Sequence, residues 1–275
     1  MTTTTVKAEA TFERQHGIHP FATRGKNPNT GVGDAVTVVS QPNLGLSLEA
    51  LQSLRGSRGF VLLPEGITLG GEKAQLPSDL SELRSQKSAI ESDLKKVKEF
   101  SATNPDLIIA LGSATFDGAS NGNGARPKPN NSFLFYRGGR LAAHTNQQFP
   151  AEGDAEDMFS LEQARGGRTV RPDISGVVGA DFVGESQGST ENDPHAPQAV
   201  VRFAQTVMVS SGVTLSRERL AAEGADPEEA VVALATGLFE RREDVNEIII
   251  ADRVPDLGAV GPDGPLNAHI LRQPA

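Results

Sequence analysis

The apolar positions of this chain fall into short continuous runs, separated by helical stripes and long polar stretches. Ala35-Val36-Thr37-Val38-Val39, Gly59-Phe60-Val61-Leu62-Leu63, Leu107-Ile108-Ile109-Ala110-Leu111 and Glu247-Ile248-Ile249-Ile250-Ala251 are too short for helices and lack an alternating polar face. Runs of that kind predict strands covered on both sides. Between the first two, Leu48, Leu51 and Leu54 share one helical face. A longer stripe of Leu80, Leu83, Ile90, Leu94 and Val97 follows the start signal Pro77-Ser78-Asp79 and stops near Asn104-Pro105. Asp226-Pro227-Glu228-Glu229 predicts another helix, running to about Arg242, because it combines a capping Asp, a Pro at the first helical position and acids at the positive dipole end. Residues 132–136 and 140–143 flank Arg137-Gly138-Gly139 as a β-hairpin. Ile174 to Val183 reads as one more strand, and residues 198–211 suit helix or strand equally.

The polar stretches set the organisation. The first forty residues are rich in Thr, Gly and Asn and read as a flexible arm, residues 117–131 as a long surface loop, and residues 150–172 as a loop or flap. From Pro255 the chain is Gly/Pro-rich. With no internal repeat and no second composition regime, the expectation is an arm over 1–33, one α/β domain over 34–255 and a tail over 256–275.

Composition then works mainly by exclusion. The 275 residues carry a net charge of −9, which argues against nucleic acid as a partner. Lys95, Lys96 and Lys98 do cluster, but Glu91, Asp93 and Glu99 share their helix, as on an ordinary solvated face. No apolar run is long enough for a membrane span, and the N-terminus lacks the apolar segment of a Sec signal peptide. The expected location is the cytoplasm, or outside it by a non-Sec route; the Thr-rich start also suits a bacterial effector delivered by a specialised secretion system. There is no cysteine, which removes disulfides, thiolate metal sites and every thiol mechanism. His16 and His19 have H-x-x-H spacing without a third ligand nearby, and Gly118 to Gly124 is not followed by the Lys-[ST] of a phosphate loop. Neither a metal nor a cofactor is expected.

Two sets of residues carry candidate chemistry. Gly184-Glu185-Ser186-Gln187-Gly188 matches G-x-S-x-G, and Asp252 and His269 follow in the Ser…Asp…His order of an α/β-hydrolase. That motif needs a helix directly after its turn, and Pro194 and Pro197 obstruct one there. A serine hydrolase using Ser186, Asp252 and His269 is therefore the alternative.

The second set follows the chain order. Leu63-Pro64-Glu65 ends one strand and Leu111-Gly112-Ser113 the next. Asn131-Ser132-Phe133-Leu134-Phe135-Tyr136 and Gly139-Arg140-Leu141 make the hairpin, Gln147 lies just beyond it, and Gly176-Val177-Val178-Gly179-Ala180-Asp181 closes the series. In order and spacing over about half the chain, this layout resembles the carbon–nitrogen hydrolase (nitrilase) superfamily.

The resemblance implies a four-layer αββα sandwich and a Glu–Lys–Cys triad. Glu65 stands at the family's Glu position, Gln147 at that of its Lys, and Gly179 at that of its Cys. A general base without a nucleophile could at most activate water. The expectation is a degenerate member without amidase or nitrilase turnover, binding a small-molecule ligand or a protein partner. A structural or assembly role is the third reading, since the resemblance also implies a homodimer paired through helices beside the site.

Overall fold

The computed structural model describes residues 8–13, 17–26, 33–41, 43–68, 80–116, 128–149, 171, 173–188, 204–212, 226–252 and 268–273. The expected loop at 117–131, the flap at 150–172 and the Gly/Pro stretch after Pro255 lie largely outside these residues.

Two sheets form the centre. One contains β2 (Gly17–Lys26), β3 (Gly33–Ser40), β4 (Gly59–Leu63), β5 (Leu107–Thr115), β6 (Asn130–Arg137) and β7 (Arg140–Asn146), side by side in that order. The other runs in the order β1 (Glu9–Glu13), β11 (Ala268–Arg272), β10 (Glu247–Asp252), β9 (Thr206–Ser211), β8 (Ile174–Val178). Pairing is parallel for β3–β4–β5 and for β8–β9–β10, and antiparallel elsewhere.

The continuous apolar runs follow from burial on both faces. Phe60 and Leu62, Ile108 and Ala110, and Phe133 and Phe135 point inward against Ile174, Val178, Met208, Ile249 and Ile270 of the second sheet. The alternate residues Val61, Leu63, Ile109, Leu111 and Leu134 point outward, beneath α1 (Leu44–Leu51) and α3 (Lys87–Thr103). On the far side Val177, Val207, Val209, Ile248 and Ile250 face α4 (Gly179–Gln187) and α5 (Pro227–Arg241). The result is the expected αββα sandwich. A short helix α2 (Leu80–Ser85) precedes α3 and contributes Leu83 to a small satellite core.

Local chemistry fixes the helix starts. The Asn43 side chain accepts from the Leu46 N–H at 2.9 Å to begin α1, and Asp226 accepts from Glu228 and Glu229 to begin α5. At one point the two sheets come very close: a Cβ on Gly176 of β8 would lie 2.1 Å from the Phe133 ring, so only glycine fits there.

Four elements differ from the pattern reading. β1 and β2 lie within the stretch read as an arm, and β11 within the stretch read as a tail. β1 is half exposed at a sheet edge, and β2 carries Pro20 at the other, so neither shows a buried apolar run. Strand β8 stops at Val178 rather than Val183, because the chain turns there into α4. Residues 206–211 resolve as strand, with every position buried.

Candidate functional site

The carboxyl ends of the parallel strands β4, β5, β8 and β9 gather at one end of the sandwich, where open α/β sheets place their ligands. Glu65 leaves β4 there, held by its own N–H donating to the Ser211 carbonyl at 3.1 Å. Ser210 fixes the same turn: its hydroxyl donates to the Leu63 carbonyl at 2.8 Å and accepts from the Gly112 N–H at 2.7 Å. Gly112 explains the Leu-Gly-Ser of β5, since a Cβ there would sit 3.1 Å from both Glu65 Cγ and Ser210 Oγ.

Asn131, at the start of β6, donates from Nδ2 to Glu65 Oε1 at 2.6 Å and to Gln147 Oε1 at 2.8 Å. Gln147 follows the end of β7; its backbone N–H donates to the Asn131 carbonyl and its side-chain Nε2 to the Phe149 carbonyl at 2.6 Å. Gly179 opens α4 directly after β8, and the Gly179 and Gly212 N–H groups lie near enough to the Glu65 carboxylate to favour its charged form. Glu65, Gln147 and Gly179 therefore converge, with Asn131 bridging the first two and the Gly179 N–H beside Glu65.

Two turns of electrostatics complete the group. Asp181, one residue beyond Ala180 in the first turn of α4, accepts from the Gln148 N–H at 2.8 Å and the Phe149 N–H at 2.9 Å. Burial pushes its carboxyl up to about 7 against those two hydrogen bonds, with the nearby Glu185 and Glu65 adding to the rise. Glu65 is also raised, by burial, against the lowering effect of Asn131, Gly179 and Gly212. Glu185, one turn along α4 from Asp181, is buried and pairs with Arg242 at 3.3 Å. The Phe149 ring locks the segment in place, lying where a Cβ on Gly184 would need to be.

The alternative set is arranged differently. The G-x-S-x-G residues lie in the second half of α4 and its left-handed cap Gly188, not on a strand-to-helix turn. Ser186 donates to the Phe182 carbonyl at 2.7 Å, and its own carbonyl accepts from Arg241 across the close α4–α5 contact. Its hydrogen bonds do not reach Asp252 or His269. Asp252 ends β10, and His269 lies buried in β11 with its ring edge-on to Phe12 at 5.4 Å. It is Gly179, not Ser186, that occupies the strand-to-helix junction.

No protein-family model matches the sequence, and no curated protein is similar to it. Among solved structures, a cysteine-to-serine mutant of the Nesterenkonia AN1 amidase from the nitrilase superfamily aligns with a TM-score of 0.51 at 15% identity. The match covers 94% of this chain and 92% of that one. The chain has the nitrilase fold. A carbon–nitrogen hydrolase from Helicobacter pylori G27 gives a TM-score of 0.49 at 14% identity, over 82% of this chain and 72% of that one. Identities this low speak for the nitrilase fold alone, so what the residues do must come from their own geometry and chemistry.

The junction at Gly179 offers no thiolate. With no cysteine in the chain and no side chain on Gly179, the strand-to-helix junction offers only a backbone N–H. Gln147 is neutral, and both ends of its amide are engaged within the protein. Among the described residues, no group of three or more His, Cys, Asp or Glu side chains could hold a metal ion, and no helix is long and apolar enough to cross a membrane. Asn131 and Asp181 stand out in the sequence only as letters of the resemblance. A carboxylate within the apolar run Val177 to Val183 was the available signal for Asp181.

Proposed function

We propose that this protein binds a small molecule at the Glu65–Asn131–Gln147–Gly179 site and does not turn over amides or nitriles. One observation carries the reading: a glycine, with no side chain, heads α4 where a nitrilase-fold enzyme needs its thiolate. Acyl transfer needs a nucleophile to form the covalent intermediate and a cation or donor to stabilise the oxyanion. Here the first is missing, and Gln147 brings no charge to the second. What persists is a polar, hydrogen-bonded floor at the end of the sheets where this kind of fold takes ligands.

The test is incubation of the purified chain with a panel of aliphatic amides and nitriles, following ammonia release. The expected result is no release above that of Glu65→Gln. Turnover that the wild-type chain shows and Glu65→Gln loses would mean that Glu65 activates water, and the binding-only reading would be wrong.

A further inference from the structure

We infer that Ser210, on the second sheet, is a positioning residue of the Glu65–Asn131–Gln147–Gly179 site, its hydroxyl setting where the Glu65 carboxylate stands. This rests on the proposed site and adds to it the residue that assembles it across the two sheets.

The sequence calls for such a residue. β4 pairs with β5 as far as Leu63 opposite Leu111, and Pro64 follows. Proline has no N–H to carry the ladder onward, so the strand's own hydrogen bonds do not direct the chain at Glu65. Direction comes from β9 in the other sheet. The Ser210 hydroxyl donates to the Leu63 carbonyl at 2.8 Å and accepts from the Gly112 N–H at 2.7 Å. The following carbonyl of β9, that of Ser211, accepts from the Glu65 N–H at 3.1 Å. Two successive residues of β9 thus grip the chain on either side of Pro64.

The side chain of Glu65 is confined at the same point. A Cβ on Gly112 would lie 3.1 Å from Glu65 Cγ, 3.2 Å from Glu65 Cβ and 3.1 Å from Ser210 Oγ. The stem of Glu65 therefore runs over the bare backbone of Gly112, beside the hydroxyl, and its Oε1 accepts from Asn131 Nδ2 at 2.6 Å.

The residue type points the same way. Val207, Met208 and Val209 precede Ser210 on β9, and packing alone would favour another apolar side chain after them. A fully buried hydroxyl is costly unless bonded, and this one uses its hydrogen on Leu63 and its oxygen on Gly112. Binding groups need to be held to within about half an ångström by neighbours that are themselves locked in place. Ser210 is locked from both strands it touches.

Asn131 supplies the readout. Its Nδ2 carries two hydrogens and meets two acceptors, Glu65 Oε1 and, at 2.8 Å, Gln147 Oε1. In a proton–nitrogen correlation spectrum of the full chain, both Asn131 side-chain signals, identified by their loss in Asn131→Ser, are expected downfield of those of an exposed asparagine. Ser210→Ala removes the hydroxyl, and Ser210→Cys keeps most of the volume with a far weaker donor and acceptor. In each, the proton facing Glu65 is expected to lose its downfield shift while the proton facing Gln147 keeps it. A loss of stability alone would move neither. Both signals unmoved in either folded variant, or both moved together, overturns the assignment. So does failure of both variants to fold, which would make Ser210 a residue of the fold alone. Any of these outcomes leaves the binding reading standing. Ammonia release that Glu65→Gln abolishes would overturn that reading and leave the placement of Glu65 by Ser210 intact.

Discussion

The two ends of the sandwich treat buried acids in opposite ways. At the amino ends of β8, β9 and β10, Glu247 is fully buried; its Oε1 gathers three donors, while its Oε2 makes no hydrogen bond and has the Arg272 guanidinium within ion-pair distance. It accepts from the Arg24 N–H at 2.9 Å, the Gly25 N–H and the Thr206 hydroxyl at 2.7 Å, and the Arg272 guanidinium lies 3.6 Å away. Nearby, Arg171 pairs with both Asp34 and Asp173. At the carboxyl ends, Glu65 is held by Asn131 and Asp181 by two backbone N–H groups, and burial raises both carboxyls. The first arrangement is what a fold uses to tie its parts together, because a buried charge is costly unless paired and hydrogen-bonded. The second stores unfavourable electrostatics, which is the pattern expected of a site.

The largest expected effect tests the tying end. Glu247→Ala strands two backbone N–H groups and the Thr206 hydroxyl, and leaves Arg272 with the Ala22 carbonyl but without its carboxylate. A loss of about 3 kcal/mol is expected in urea unfolding. Because Arg24 lies on β2 in one sheet and Glu247 on β10 in the other, the loosened part should include the N-terminal strands. Faster hydrogen exchange at β1 and β2 would confirm it, and a loss below about 1 kcal/mol would break the contrast between the two ends.

The site end should respond to pH through Asp181. A carboxyl raised to about 7 in the folded chain binds its proton more tightly there than in the unfolded chain, where it lies near its ordinary value of about 4. Its contribution to stability is therefore fully present below about pH 4 and is lost as pH rises through about 7. At about 1.4 kcal/mol per unit, the wild-type chain should gain a few kcal/mol on going from pH 8 to pH 5, with Glu65 acting in the same direction. Asp181→Asn should flatten most of that slope. A slope unchanged by the substitution would place its origin elsewhere.

A steric substitution sharpens the picture from the packing side. Gly176→Ala sets a methyl against the Phe133 ring between the sheets, directly beneath the turn to Gly179. The expected cost is about 1–3 kcal/mol in urea unfolding, as for other overpacked cores.

The contrast between the two ends was only partly legible in the sequence. The buried strands and the helices announce themselves, because Phe60 to Leu63 or Ile248 to Ile250 can be covered only by layers on both faces. The order Glu65, Asn131, Gln147, Gly179 is also in the sequence, and the structure brings those four together. The edge strands are not legible: β1 and β2 are half polar, and their hydrogen bonds come from strands at the far end of the chain and from a neighbour. Nor could periodicity show that β8 stops at Val178, since Ala180, Phe182 and Val183 serve a helix face as well as a strand. That one boundary decides which residue sits at the junction, so it also decides which candidate chemistry the sequence seemed to favour.

Ser186 offers the smallest effect and the most direct check on that boundary. In a nucleophile elbow the serine stands exposed at the strand-to-helix turn, its oxygen free to be activated by a histidine. In this chain it lies in the last turn of α4, buried, with its hydroxyl bonded to the carbonyl of Phe182. Removing such a bond within a helix leaves the carbonyl its backbone partner, so Ser186→Ala should cost about 1 kcal/mol or less. A fluorophosphonate probe should leave the wild-type chain unlabelled, and the substituted chain should match it. Labelling that Ser186→Ala abolishes would require α4 to open at Gly188 and Ser186 to leave its contact with Arg241, and the site would then have to be moved from Gly179 to the other end of the helix.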